Sequence, residues 1–84
     1  MTESVVLSGE LTICRADELV STLRQALQSC QQLHIDLTTV VQLDTAAAQI
    51  LVAAKQQALQ TAVPITFSCS PMVHERLRTI GIQL

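Results

Sequence analysis

At 84 residues the chain is near the small end of what sustains a core without staples, so a single domain over residues 1–84 is expected. Hydrophobic residues make up 49% of it, yet Phe67 is the only aromatic, so the core must be aliphatic, built from Leu, Val, Ile and Ala. A net charge of −2 with only five Lys and Arg argues against nucleic acid and against an anionic membrane surface, because each phosphate contact needs a cation.

No apolar run approaches the roughly 20 residues that span a bilayer. The opening "MTESVVLSGE" has no basic region followed by an apolar one, so no signal peptide is expected and the chain reads as cytoplasmic. Cys14, Cys30 and Cys69 are odd in number and widely spaced, without a CxxC or Cys/His cluster. That spacing supports neither zinc nor disulfides, and predicts three reduced, largely buried thiols.

In chain order, residues 4–9 ("SVVLSG") have strand chemistry ended by Gly9. Residues 15–30 place Ala16, Leu19, Val20, Leu23, Ala26, Leu27 and Cys30 at helical spacing, an amphipathic helix. Residues 33–37 ("LHIDL") alternate strictly, with His34 and Asp36 opposite Leu33, Ile35 and Leu37. After a short loop a second helix is predicted over 45–62, with no Gly or Pro before Pro64. Residues 65–69 ("ITFSC") alternate again. Ser70 followed by Pro71 signals the start of a third helix, with Val73, Leu77 and Ile80 inward and Gly81 at its end. A short last strand, "IQL", closes the chain.

Strands alternating with helices imply crossover connections and a largely parallel sheet. The second face of 33–37 and 65–69 is polar, however, whereas a doubly wound sheet needs strands apolar on both faces. The expected fold is a small α/β layer with a mixed, largely parallel four- to five-stranded sheet and helices mainly on one face.

The chemistry is narrow. Two glycines, Gly9 and Gly81, cannot build a phosphate-cradling loop, and no cofactor is expected. Asp36 with Asp44 lacks a third metal ligand, and a Cys30–His34 nucleophile pair has nothing to orient the base, so no enzyme is expected. The second helix is more informative. Ala47, Ile50, Leu51, Ala54 and Ala58 form its buried stripe at 100° per residue, while Thr45, Gln49, Val52, Gln56 and Gln60 lie opposite. Asp44 and Thr45 are ordinary cap residues, worth about 1 kcal/mol, and the local pattern alone reads as a cap. Against this, Val52 is read as the single large apolar residue on the outer face, with small Ala48 and Ala53 beside it. An apolar spot beside an exposed hydroxyl suits a docked partner.

"LSGELT" (7–12), then a helix, then "IDLTTVVQLDTAAAQIL" (35–51) resembles the STAS domain, the fold of bacterial anti-sigma factor antagonists. The family pattern runs roughly "L-x-G-E-L-D", a helix, then "hydrophobic-D-L-x-x-V-x-x-hydrophobic-D-S-S-G". The resemblance covers nearly the whole chain. It implies a non-enzymatic protein-binding domain of transcription regulation by partner switching, with Thr45, directly after Asp44, at the phosphoacceptor position. Asp36 matches the acid at the end of the central strand, which in the family lies near that position, and Ala46 completes the neighbourhood. The implied partner is an anti-sigma factor or serine-threonine kinase, held by Thr45, Ala48, Gln49, Val52 and Gln56. The chain departs from the pattern in three places: Ala46 and Ala47 stand where the motif has Ser and Gly, and Thr12 replaces an acid. A "D-T" motif is also similar to the small STAS subunit of a bacterial ABC transporter for phospholipids, which binds the ATPase subunit. The alternative is therefore a constitutive subunit of a transporter or chemotaxis complex without phosphorylation. The open sheet face, or the edge of the first strand, offers a route to a homodimer.

Overall fold

Three strands and three helices alternate along the chain in the computed structural model, which describes residues 2–29 and 31–84. The order is β1 (Thr2–Leu11), a 3-10 turn (Ile13–Arg15), α1 (Ala16–Ser29), β2 (Gln32–Leu43), α2 (Thr45–Gln60), β3 (Ile65–Cys69) and α3 (Pro71–Thr79). The sheet has the order β1-β2-β3 and both pairings are parallel. Among the described residues it has three strands, fewer than the four to five expected. The predicted last strand is absent because Ile80 and Gly81 close α3. The Ile82 amide donates to the Leu77 carbonyl and the Gly81 amide to that of Arg78, with Gly81 at φ +82°. This left-handed cap ends α3, and the tail beyond it pairs with no strand; the Leu84 carbonyl accepts instead from Lys55 Nζ at 3.1 Å.

β2 is the axis of the fold. Leu33, Ile35 and Leu37 are fully buried, while His34 and Asp36 between them are half-buried on the other face. All three helices contribute to one core cluster with the buried strand residues, through Leu19 and Leu23 of α1, Leu51 and Ala54 of α2, and Val73 and Leu77 of α3. The helices thus cover one face and leave the other open. On that open face His34 bridges to β3, with Nδ1 2.7 Å from Thr66 Oγ1 and Nε2 2.9 Å from Ser68 Oγ.

β1 and β2 both run further than their patterns suggest. Val6 lies beside Asp36, but Ser8 lies beside Thr39, Gly9 beside Val40 and Glu10 beside Gln42. β2 therefore carries an extra residue twice, and Val41 is one of them. Each bulge shifts the pleat, so burial moves to Val40 and Leu43 and alternation is lost over 38–43. Gly9 does not end β1. Its φ of +73° turns the chain opposite the second β2 bulge, and the Arg15 guanidinium fixes the turn by donating to the Ser8 carbonyl at 2.8 Å and the Glu10 carbonyl at 3.2 Å.

Candidate functional site

The site is built where β2 gives way to α2. Asp44 leaves the strand in an extended conformation and caps the helix, its Oδ1 accepting from the Ala47 amide at 2.8 Å. Its Oδ2 accepts from the Ile13 amide, also at 2.8 Å, and the Asp44 amide donates to the Leu11 carbonyl at 3.1 Å. One carboxylate therefore pins the turn after β1 to the start of α2. The Arg76 Nε donates to the Leu43 carbonyl at 2.9 Å, which brings α3 to the same junction. Donation from Ala47, then from Ile13, with the Arg76 charge nearby, holds the Asp44 carboxyl below its ordinary pKa. Asp44 is thus an anion with both oxygens committed.

Thr45 is left free by this arrangement. It is exposed at the first position of α2, and its hydroxyl has no partner among the described residues. The Ala47 amide is met by Asp44, while those of Thr45 and Ala46 have no partner within the helix, as at any α-helix start. Capping and presentation are divided between two neighbours: Asp44 caps and Thr45 projects.

Around Thr45 the outer stripe of α2 departs from the sequence expectation first at Ala48. Gln49 and Gln56 are exposed and Val52 is half-buried, all on the Thr45 side. Ala48, expected in that surface, is fully buried. Ala47, Leu51, Ala54 and Ala58 are buried as expected, but Ala48 joins them and Ile50 lies at a half-buried margin. Ala46 is half-buried beside Thr45 and Ala47 is fully buried.

Asp36 is not part of this neighbourhood. β2 continues from Asp36 to Leu43, so seven strand residues lie between the two acids, on the order of 25 Å of extended chain. Asp36 instead closes a local turn, its Oδ1 accepting from the Thr38 hydroxyl at 2.6 Å and the Thr38 amide at 2.8 Å. Those bonds, first the hydroxyl and then the amide, lower its pKa.

Two apolar residues of the surface escaped sequence reasoning. Ile13, 63% exposed, sits in the turn tied to Asp44, and Leu59 is 73% exposed. Leu59 follows Thr45 and Val52 at seven-residue spacing, so the three share one helix stripe, flanked by Gln49 and Gln56. Val52 is therefore not the single large apolar residue there. Ile13 stands outside the helical periodicity of α1 and before its first inward residue, and that misplaced apolar residue was the signal available.

The thiols also differ from expectation. Cys14 is exposed and Cys69 half-buried, where desolvation raises its pKa; Cys30, with its suggested pairing to His34, lies outside the described residues. Among the described residues no group of three or more His, Cys, Asp and Glu is placed to hold a metal, and no helix is long and apolar enough to cross a membrane.

A protein-family model described as "Mlab, STAS domain" matches residues 2–83. A search of curated proteins finds none that matches.

Proposed function

Because the chain belongs to the STAS-domain family, whose members are regulatory and protein-interaction domains, we propose that it is a non-enzymatic docking module that seats a partner protein on the outer stripe of α2. Thr45 is at the centre of the contact, Val52 and Leu59 continue it along the helix, and Ile13 extends it across the turn after β1. The observation that carries this reading is the unengaged Thr45 hydroxyl beside an Asp44 that has taken over the cap.

In the partner-switching form, the partner is an anti-sigma factor kinase that transfers the γ-phosphoryl of ATP to Thr45 Oγ1, releasing ADP and a proton. The product carries roughly −1.5 to −2 charges in a contact built from Val, Leu, Ile and Gln. Burying that charge against an apolar partner opposes docking, and the ionised Asp44 adds repulsion. Ala46 and Ala47 leave Thr45 as the one hydroxyl of the motif, so the switch has a single acceptor.

A second reading is a constitutive subunit that uses the same surface on an ATPase subunit, without modification. It is favoured by the matching family's description, which is Mlab and not an anti-sigma factor antagonist. Both readings are tested by titrating the kinase or ATPase encoded beside the gene against wild type and Thr45→Glu. Docking at Thr45 predicts at least a tenfold loss of affinity in the variant, and equal affinity overturns it. Phosphosite mapping after incubation with kinase and ATP then separates the two: phosphate on Thr45 supports the switch, and an unmodified Thr45 supports the constitutive subunit.

A further inference from the structure

The opposite flank of α2 carries a second surface. A half-open groove of about 650 Å³ runs between α1 and α2, its apolar wall formed by Val20, Leu23, Leu27 and Ile50. Ile50 and Thr45 are five residues apart, which at 100° per residue places them on opposite flanks of the helix. The polar lining is neutral (Gln28, Gln57, Thr61) except for Arg24.

Arg24 stands apart from the other four cations. Arg15 is bound to Glu18 and to the Ser8 and Glu10 carbonyls of β1, Lys55 donates to the Leu84 carbonyl, Arg76 to the Leu43 carbonyl, and Arg78 pairs with Glu75. Arg24 has no hydrogen bond or ion pair among the described residues, although it lines a mostly apolar groove in a chain of net charge −2. An unpaired guanidinium on an apolar groove suits an apolar ligand that bears an anionic oxygen group, a carboxylate or a phosphate.

We propose that this groove docks an amphipathic helix of a partner protein, with apolar side chains against Val20, Leu27 and Ile50 and an Asp or Glu on Arg24. The open side favours a helix over an acyl chain. A helix leaves its polar face in the water along the opening, whereas an acyl chain would stay half solvated.

The test places a photo-crosslinking amino acid at Ala53, an exposed lining residue, in the full chain expressed in its native cell, and sequences the crosslinked peptide. The expected product is a partner segment with apolar residues at helical spacing and an acid among them. Its yield should fall at least tenfold in Arg24→Glu and recover when the partner's acid is changed to Lys. Circular dichroism on Arg24→Glu verifies that the variant folds, and Arg24→Gln replaces it if it does not. No protein crosslink, a crosslink to a lipid or to a second copy of the chain, or a protein crosslink indifferent to Arg24 overturns the proposal.

Discussion

Asp44 and Thr45 are adjacent and do opposite work. Asp44 commits both carboxylate oxygens to backbone amides, one in α2 and one in the turn after β1, and its pKa is lowered for that reason. A carboxyl whose folded pKa is depressed contributes stability that is present above its ordinary value and is lost as pH falls through the lowered one. Asp36 and Glu75 shift the same way, the former through Thr38 and the latter through Arg78. Thermal melts should therefore be flat from neutral pH to about 5 and fall below about 4. Asp44→Asn, which can still cap, should show a shallower fall on acidification, since Asp36 and Glu75 remain. Thr45→Ala is the contrasting case. Its hydroxyl has no partner among the described residues, so urea unfolding should place the variant within about 0.5 kcal/mol of wild type. A larger loss would mean that Thr45 has a structural role.

At the scale of elements, three described residues have positive φ, Gly9, Ala62 and Gly81, and the first two mark opposite cases. Gly9 adopts φ +73° in β1 opposite the second β2 bulge, and a Cβ there would lie 3.7 Å from the Arg15 guanidinium, an ordinary contact. The cost of Gly9→Ala is therefore conformational, about 1–2 kcal/mol. Ala62 adopts φ +58° just beyond α2, where the Val63 amide donates to the Ala58 carbonyl. That position is one glycine fills without strain, so Ala62→Gly should stabilise the protein by about 1 kcal/mol. Chemical denaturation of the pair should give opposite signs. The same two residues explain why boundaries were hard to read. An alanine at the helix end gives no stop signal, so α2 was expected to reach residue 62, whereas it ends at Gln60. Gly9 reads as a strand end, yet here it lets β1 continue to Leu11. In β2 the two bulges erase the alternation that would have marked residues 38–43 as strand, so the pattern stopped at Leu37. β3 and the start of α3 carry no such irregularity, and there the alternation of Ile65, Phe67 and Cys69 and the Ser70-Pro71 start signal gave the boundaries directly.

For the molecule as a whole, the parallel sheet with helices over one face was legible because it follows from the order of elements and the polar second face of two strands. The strand count was not, because the turn at Gly81 depends on cap hydrogen bonds rather than on composition. On α2, the exposure of Thr45, Gln49 and Gln56 was legible from helical phase. Ala48 was misplaced because the buried arc of α2 extends to it beside Ala47 and Leu51. The core rests on aliphatic packing alone, with Leu11, Leu33, Ile35, Leu37, Leu51 and Val73 as its largest fully buried side chains. A chain of this length has roughly 4–13 kcal/mol of total stability. Leu51→Ala should cost about 2–5 kcal/mol, enough to lower the melting temperature by ten degrees or more.

The central claim is that a partner protein rests on the outer stripe of α2. It is tested most directly by NMR cross-saturation from the partner, the neighbouring kinase or ATPase, to the labelled domain. The account predicts signal loss at Ile13, Thr45, Gln49, Val52, Gln56 and Leu59. Loss confined to the open sheet face around Val6, His34 and Ser68, with the Thr45 stripe silent, would contradict it.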